Sequence, residues 1–234
     1  MQGIIDIHSH VLPDVDDGAK DMDMSMEMIK CAYAQGVRGM IATPHYYPGH
    51  KNCPVNRLQE VYQELCEKAA SLYEDFHLYL GQEIYYKDNV TDLLKQKEIL
   101  TMAGTRYILL EFSTRCRYED IYGAVRKTTQ AGYYPILAHV ERYQTLYEKR
   151  THIPELIEAG AYIQVNAENY TLSVFSRERR FCMQQLKEGN IHFFGSDCHN
   201  MKSRKPDMDK VLKYAAEQQL TINPQKIIEG IFLS

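Results

Sequence analysis

The N-terminal segment Asp6-Ile7-His8-Ser9-His10 places two histidines at a spacing that suits a metal ion. Side chains alternate between the two faces of a strand, so His8 and His10 would point the same way and could bind one cation together. Asp6 is placed to orient one of the two imidazoles from behind. A pair of surface or core histidines has the same spacing, so this motif alone leaves both interpretations open.

Similar side chains end other apolar runs of the chain. The i, i+2 spacing recurs at Asp197 and His199, and further His or Glu residues lie at or next to the ends of the runs ATPH, LGQE, LLEF and PILAH. A buried glutamate at such a position is costly unless it is paired or bound to a cation. The predicted metal ligands are His8, His10, Asp17, His45, Glu83, Glu111, His139, Asp197 and His199.

This ligand set predicts the class of metal. Imidazole and carboxylate ligands without thiolate suit Mn²⁺, Fe²⁺ or Zn²⁺ better than Ca²⁺ or a structural zinc site. Nine ligands exceed what one ion can use, so we expect two or three ions that share carboxylates. Such ion clusters can activate water and hold a phosphoryl group between cations.

Two arginines lie close to the predicted ligands and could bind a phosphate. Arg142 and Arg204 follow His139 and His199 by three and five residues. A guanidinium can contact a phosphate through two parallel hydrogen bonds and stabilise the transferring group. A surface salt bridge is the commoner role of an arginine, so position alone does not decide between the two.

The segment from Cys198 to Arg204 also has the C-x5-R spacing of thiol-based tyrosine phosphatases. In those enzymes a Gly-rich loop lets backbone N–H groups surround the phosphate, and this segment contains no glycine. Nothing in the sequence singles out a cysteine with a lowered pKa. We therefore expect Cys198 to be a bystander between two ligands.

A repeated order of helical pattern, glycine, short β-rich run and polar residue predicts alternating helices and strands. Gly36, Gly132, Gly160 and Gly189 each follow a helical pattern, where a left-handed residue lets the chain turn into a strand. The helical patterns include 21–35, 54–73, 118–131 and 206–219. The seven predicted strands end at His8, His45, Glu83, Glu111, His139, Asn166 and Asp197.

The alternation and the polar strand ends together predict the fold class. Strands that alternate with helices indicate parallel βαβ units. An open sheet gathers ligands only around its switch point, whereas a closed α/β barrel gathers them at every strand end. We therefore expect an α/β barrel, and the absence of a linker favours one domain over residues 1–234.

Charge and composition exclude several functional classes. The 27 Lys and Arg residues nearly balance 31 Asp and Glu residues, so the formal charge is −4. A nucleic-acid partner is not expected, because a surface that follows phosphates needs a basic excess. No apolar run approaches the roughly 18 residues of a membrane span, and no signal peptide is evident. We expect a cytoplasmic protein with reduced cysteines and no direct membrane insertion.

Seven motifs, in order along most of the chain, resemble one known family: IIDIHSHVLPDVDDGAKD, ATPH, GQEIYY, LLEFS, PILAHVERY, QVN and SDCHN. They resemble the PHP (polymerase and histidinol phosphatase) superfamily. Within it, VDDG, QEIYY and HVERY resemble the bacterial manganese-dependent protein-tyrosine phosphatases of capsule and exopolysaccharide gene clusters. The resemblance implies a single-domain distorted (β/α)7 barrel of the PHP fold, with Mn²⁺ as cofactor and Fe or Zn as other possible metals.

The resemblance also implies how the ligands are grouped. One ion would be held by His8, His10, Glu83 and Asp197, a second by Glu83, Glu111 and His139, and a third by Asp17, His45 and His199. Asp17 is chosen over Asp16 because the family's ligand directly precedes the glycine, although the residues alone do not separate the two. Arg142 and Arg204 would be catalytic residues that assist phosphate binding. Tyr46 stands where many relatives carry a second histidine or a basic residue.

The implied substrate is the phosphotyrosine tail of a bacterial tyrosine kinase that controls polysaccharide chain length, and a homo-oligomer is a further family expectation. Three alternatives stay open. A PHP phosphoesterase acting on a small phosphomonoester such as histidinol phosphate would share all the ligands. A metal-dependent amidohydrolase usually needs a bridging lysine where this chain has Glu111. A barrel that only docks on a kinase would show no turnover with Mn²⁺.

Overall fold

A computed structural model describes residues 4–209 and residue 211, and that part of the chain forms nine strands and six α-helices. The strands are β1 Ile4–Ser9, β2 Val37–Ala42, β3 His45–Tyr46, β4 His77–Leu80, β5 Glu83–Tyr85, β6 Tyr107–Glu111, β7 Tyr134–Leu137, β8 Tyr162–Asn166 and β9 Phe193–Gly195. The helices are α1 Met22–Ala34, α2 Val55–Ala70, α3 Val90–Gln96, α4 Tyr118–Gln130, α5 His152–Glu158 and α6 Arg177–Lys187.

The strands pair in parallel and follow the predicted seven paths. The hydrogen-bonded orders are β1-β2-β4 and β3-β5-β6-β7-β8-β9. Two predicted strands are each divided: β2 stops two residues before β3, and β4 stops two residues before β5. Pro44, which has no N–H to donate, lies in the first break. Gly81 lies in the second, where a Cβ would come within 2.9 Å of the Met102 sulfur.

Backbone hydrogen bonds between the first and last strands close the barrel. The Asp197 N–H donates to the His8 carbonyl at 2.8 Å, and the His10 N–H donates to the Cys198 carbonyl at 2.9 Å. The closure places the predicted ligands of the two ends of the chain beside each other. The predicted α/β barrel is therefore confirmed.

Three predicted helices are confirmed within a few residues, as α1, α2 and α4. The pattern over 206–219 lies almost wholly outside the described residues. The helical patterns that precede Gly160 and Gly189 correspond to α5 and α6, whereas the sequence patterns did not single out the short helix α3. All four predicted turn glycines have positive φ, with φ +92° at Gly36 and +108° at Gly160.

The core has two parts, one on each side of the barrel wall. Strand residues fill the barrel interior, because one buried cluster joins residues of β1 and β2 to residues of β6 and β7, which do not pair with them: Ile5, Ile7, Ile41, Leu109, Ile136 and Phe193. A larger cluster packs the helices against the outer wall. Burying each large aliphatic side chain contributes roughly 1.5–3 kcal/mol. These two layers give the strand ends a rigid support.

No helix within residues 4–209 and 211 is both long enough and apolar enough to cross a membrane. The expectation of one domain over residues 1–234 stays a prediction.

The turn glycines allow a test of the fold. Gly160 has φ +108°, and a Cβ there would lie 2.9 Å from the Thr129 side chain. We expect Gly160→Ala to lower the free energy of unfolding by more than about 1 kcal/mol. In the matched control Gly123→Ala, within α4, the new Cβ meets nothing within 4 Å. That change should stabilise by roughly 0.5–1 kcal/mol. Urea unfolding measures the stability of both variants. A Gly160→Ala midpoint at or above the wild-type value would contradict the left-handed turn conformation assigned to Gly160.

Candidate metal centre

The strand ends bring all nine predicted ligands into one cluster at the mouth of the barrel. Each of them has a ligand atom within 4.0 Å of a partner in the set. The contributing segments are β1, β3, β5, β6, the loop after β1 and the loops after β7 and β9. The geometry therefore unites residues that are as much as 191 positions apart, from His8 to His199.

Glu83 is the centre of this cluster. Its carboxylate is 1% exposed and lies among four imidazoles. Glu83 Oε2 is 3.2 Å from His8 Nε2, 3.3 Å from His10 Nε2 and 3.0 Å from His45 Nδ1. Glu83 Oε1 is 2.8 Å from His139 Nε2. A buried carboxylate between so many nitrogen ligands is suited to bridging cations.

Within the described residues the potential ligands form three overlapping groups. The groups are His10, Asp17, His45 and His199; His8, His10 and Asp197; and His45, Glu83 and Glu111. The first and second match two of the three implied sets closely. His10 is shared between them, and His45 takes part in the third group as well. His139 stays adjacent to that group, with Nε2 3.7 Å from Glu111 Oε1.

Unpaired polar atoms test whether the residues fit a cation. Among the described residues, buried atoms without a hydrogen-bond partner include His45 Nδ1, Glu83 Oε2, His139 Nδ1 and His199 Nε2. A buried polar atom without a partner costs roughly 1–3 kcal/mol. His45 Nδ1 and Glu83 Oε2 are only 3.0 Å apart, yet neither has a hydrogen-bond partner. Three of these four atoms belong to residues of the three potential ligand groups, namely His45, Glu83 and His199. The unpaired nitrogen and oxygen atoms of the cluster therefore fit divalent cations.

Neighbouring side chains fix the orientation of the first two imidazoles. His8 Nδ1 lies 3.3 Å from Gln164 Oε1, and His10 Nδ1 lies 2.8 Å from Asp16 Oδ2. A proton on Nδ1 in each ring leaves Nε2 free as a ligand, as is usual for histidines bound to metals. The two Nε2 atoms are 3.3 Å apart and both face Glu83.

The structure separates the two candidate aspartates. The Asp16 side chain is 6% exposed, and it accepts hydrogen bonds from the Gly18 and His45 N–H groups besides contacting His10. Asp17 is 67% exposed, and its Oδ1 is 3.4 Å from His45 Nε2 and 3.5 Å from His199 Nε2. The oxygens of Asp16 are therefore already used, whereas Asp17 faces the ligand nitrogens.

Asp197 joins both predicted arginines to the cluster. Its Oδ2 accepts from Arg142 Nη2 at 2.7 Å and from Asn166 Nδ2 at 3.0 Å, and its Oδ1 is 2.6 Å from Arg204 Nη2. Its Oδ1 also lies 3.6 Å from His8 Nε2. Both arginine side chains are 35% exposed, so each keeps part of its surface open to solvent beside the cluster.

The cluster shifts the acidity of its members strongly. Burial alone would raise the pKa of Glu83 and of Asp197, but the charge of His8 and the other nearby cations hold both well below their usual range. Burial alone would lower the pKa of His8 and His10, but the surrounding carboxylates raise both. Burial and the charge of Glu83 raise the pKa of Glu111. Opposed shifts of this kind are typical of functional sites.

Two residues of the cluster have a backbone conformation that is rare for side chains with a Cβ. His139 has φ +31° and Asp197 has φ +53°. Each such residue costs on the order of 1–3 kcal/mol, and such strain gathers at active sites. In both cases the residue comes two positions after a strand end and its side chain lies in the cluster, with His139 Nε2 2.8 Å from Glu83 Oε1 and Asp197 Oδ1 3.6 Å from His8 Nε2.

The structure corrects one expectation and confirms another. Asp6 does not orient an imidazole: its carboxylate accepts from the His8 N–H and from the Ser196 N–H and hydroxyl, because the side chain points at the closing strand. Cys198 is fully buried, and burial raises the pKa of its thiol well above the usual value. A reactive thiolate is therefore disfavoured, as predicted.

The family is decided by comparison with known proteins. The family model described as capsular polysaccharide synthesis, CpsB/CapC, matches residues 4–229. The chain belongs to the CpsB/CapC family. Tyrosine-protein phosphatase CpsB from Streptococcus pneumoniae is 34% identical over 238 residues, which cover 96% of this chain and 98% of that relative. The resemblance seen in the sequence motifs is thereby confirmed.

Solved structures agree with this membership. One comes from a study of YwqE from Bacillus subtilis and CpsB from Streptococcus pneumoniae, described there as unique metal-dependent tyrosine phosphatases. It has a TM-score of 0.87 and 30% identity, and the match covers 97% of this chain and 92% of that one. A phosphotriesterase homology protein from Escherichia coli matches at TM-score 0.59 and 12% identity over 96% of this chain and 95% of its own, which shows the fold alone.

Several residues around the CpsB/CapC cluster were not predicted as site residues. Asp16, Gln164 and Asn166 contact ligands directly, and Glu141 accepts hydrogen bonds from the Asn166 N–H and from Asn169 Nδ2. The Tyr47 hydroxyl donates to Glu111 Oε2 at 2.9 Å. A signal existed for Asn166, which ends a predicted strand, and for Asp16, which adjoins Asp17. The other contacts depend on the three-dimensional arrangement.

Asp17 and Asp14, which both lie in the loop after β1, give a first test of the proposed metal centre. We expect Mn²⁺ to raise the unfolding temperature of the chelator-treated protein, since ligand at 100 times its Kd adds about 2.7 kcal/mol. Asp17→Asn should bind fewer ions by calorimetry and lose part of this stabilisation. Asp14→Asn, an exposed carboxylate in the same loop, should behave as wild type. Equal stoichiometry in all three proteins contradicts the role of Asp17.

The acidity shifts of the CpsB/CapC cluster predict a pH dependence. The lowered pKa values of Glu83 and Asp197 contribute stability above roughly pH 4 that is lost in acid. The raised pKa values of His8 and His10 contribute stability below roughly pH 6.5 that is lost as the pH rises. The lowered pKa values of His199 and His192 oppose the latter, but of these histidines only His10 has a pKa well outside its usual range.

The metal-free protein should therefore lose thermal stability between pH 6 and 8. Added Mn²⁺ should stabilise increasingly over the same interval, because a ligand imidazole must be deprotonated. Thermal unfolding with and without metal measures both trends. A metal-free unfolding temperature that rises from pH 6 to 8 would show that these histidines are not held in their charged form.

Proposed function

We propose that this protein is a metal-dependent tyrosine-protein phosphatase that hydrolyses phosphotyrosine at the barrel mouth. One observation carries the proposal: a buried imidazole and carboxylate cluster and two arginines meet at the Asp197 carboxylate. That combination suits a dianionic phosphate that must bind cations on one side and hydrogen-bond donors on the other. The names of the relatives in the CpsB/CapC family support the same activity.

The nine residues of the cluster would hold two or three divalent ions, with Mn²⁺ as the proposed metal and Fe or Zn as alternatives. Neutral imidazoles and carboxylates are the ligands that these metals share. When bound, the ions would supply Lewis-acid chemistry: they would polarise phosphoryl oxygens and lower the pKa of water, so that hydroxide would be available near neutral pH to attack phosphorus. Asp16 and Gln164 keep the first two histidines in the tautomer that this binding requires.

The two arginines act on the phosphate. A guanidinium carries five N–H donors. Arg142 and Arg204 therefore keep donors for phosphate oxygens after each has contacted Asp197 through Nη2. Their charge offsets the negative charge that develops on the phosphoryl group. Because Asn166 also donates to Asp197, the Asp197 carboxylate is fixed in position between the two guanidinium groups.

The leaving group needs little help from the protein. Tyrosine has a pKa of about 10, so a phenolate leaves more readily than an alkoxide. We therefore assign no general acid. The proposed substrate is the phosphotyrosine-bearing tail of a bacterial tyrosine kinase in capsular polysaccharide synthesis, and assembly into a homo-oligomer is part of the same proposal.

Hydrolysis of a phosphotyrosine peptide tests the proposal. The wild type should lose activity in chelator and regain it with Mn²⁺. His8→Ala removes a ligand and should lower kcat/KM by more than about 100-fold, beyond the 10–100-fold typical of outer contacts. Cys198→Ser, a change at a buried thiol, should stay within about threefold of wild type, since it removes no ligand. Initial rates of phosphate release measure all three proteins.

Two outcomes would contradict this mechanism. Full activity in chelator together with an inactive Cys198→Ser protein would indicate a thiolate nucleophile. Faster hydrolysis of histidinol phosphate than of the phosphotyrosine peptide would indicate a small-molecule phosphoesterase at the same cluster.

A further inference from the structure

Two tyrosines form an aromatic wall at the rim of the metal centre. Tyr47 comes directly after β3, and Tyr85 ends β5. Their ring centres are 5.5 Å apart, and the Tyr47 ring is 4.8 Å from the ring of His45. Both tyrosines are half-buried, so each keeps part of its surface open. The name aromatic wall is used below for Tyr47 and Tyr85.

Tyr47 is held rigidly at both its backbone and its side chain. Its N–H donates to Asn52 Oδ1 at 2.7 Å, and its carbonyl accepts from Asn52 Nδ2 at 2.9 Å. Its hydroxyl donates to Glu111 Oε2 at 2.9 Å. A ring fixed in this way loses little conformational entropy when a ligand packs against it. The structure therefore presents a preformed aromatic surface beside the cluster.

The position of the aromatic wall matches that of a substituent on a bound phosphate. Tyr47 contacts both His45 and Glu111, which belong to one group of potential ligands. In an aryl phosphate the ring is attached directly to the ester oxygen, so it must lie in the first layer of groups around the cluster. Lys87 Nζ lies 5.6 Å from the centre of the Tyr85 ring and adds positive charge at the outer edge.

We propose that Tyr47, supported by Tyr85, binds the aromatic ring of the substrate and makes this site selective for aryl over alkyl phosphomonoesters. The inference rests on the proposed phosphatase function and names the determinant of its substrate class. Offset or edge-to-face contacts between aromatic rings favour an aryl group beyond its simple burial. An alkyl phosphate gains no such contact, and the cluster and the arginines recognise only its phosphate.

The hydroxyl group of Tyr47 offers a second explanation for any loss of binding, and the experiment must separate it from the effect of the ring. Tyr47 also supports Glu111 through its hydrogen bond, so truncation could act on the metal centre alone. Tyr47→Phe removes the hydroxyl and keeps the ring, whereas Tyr47→Ala removes both. Tyr122→Ala, which deletes a half-buried ring on α4 outside the cluster, is the matched control.

Binding of two non-hydrolysable phosphonates tests the proposal without turnover. Phenylphosphonate and methylphosphonate are titrated calorimetrically into the Mn²⁺-loaded protein, and circular dichroism checks that each variant is folded. Tyr47→Ala should weaken phenylphosphonate binding by about tenfold, the upper range of one aromatic contact, and leave methylphosphonate within about twofold. Tyr47→Phe and Tyr122→Ala should keep the wild-type preference for the phenyl compound. Tyr85→Leu should weaken phenylphosphonate less than Tyr47→Ala does.

The kinetic counterpart uses a phosphotyrosine and a phosphoserine peptide of the same sequence. Tyr47→Ala should lower the ratio of their kcat/KM values by about tenfold, mainly through KM for phosphotyrosine. Two results would overturn the proposed role of the aromatic wall. One is an equal weakening of phenylphosphonate and methylphosphonate binding in Tyr47→Ala, and the other is loss of the preference for phenylphosphonate in Tyr47→Phe. Wild-type protein that prefers phenylphosphonate but does not hydrolyse phosphotyrosine would overturn the proposed function and leave the wall intact.

Discussion

The burial of one carboxylate among four imidazoles is the constraint on which this site depends. Glu83 is 1% exposed, and its two oxygens lie within 3.3 Å of nitrogens from His8, His10, His45 and His139. A carboxylate in such a position is stable only with positive charge around it, from protonated imidazoles or from bound cations. Four histidines can surround one glutamate only if four strand ends converge, which a closed parallel barrel achieves. The fold and the charge pattern are therefore linked: opening the barrel would separate the groups that compensate Glu83.

A second layer of polar residues makes the cluster specific in shape. Asp16 and Gln164 fix two imidazoles, and Asn166 together with Arg142 fixes Asp197. The strained turn at Asp197 is held in place by the barrel closure, in which the Asp197 N–H donates to the His8 carbonyl, and the turn at His139 is held by its N–H, which donates to Gln164 Oε1 at 2.7 Å. Preorganised groups of this kind do not need to rearrange when charge develops during reaction. The energy stored in strain and in buried charge is offset by the two apolar layers of the barrel wall.

Local patterns in the sequence predicted the barrel and the residues that cluster at its mouth, for identifiable reasons. Strand alternation and a glycine before four of the seven predicted strands are local signals, and in a parallel barrel every strand end faces the same mouth. The breaks between β2 and β3 and between β4 and β5 depend on Pro44 and on the packing of Gly81 against Met102, which no periodicity indicates. The sequence could not assign Asp6 correctly, because its partner Ser196 is 190 residues away. Asp16 and Asp17 are neighbours in sequence, and only their surroundings in the fold distinguish them.

Membership in the CpsB/CapC family and the geometry of the cluster lead to one central claim, that the barrel mouth is a multinuclear metal centre acting on phosphate. Anomalous diffraction from crystals grown with Mn²⁺, recorded at the manganese absorption edge, tests this claim most directly. Two or three anomalous peaks are expected, with at least one beside Glu83 and one between Asp17 and His199. A crystal of the Mn²⁺-treated protein without a peak in the cluster, or with peaks only at surface carboxylates, would contradict it.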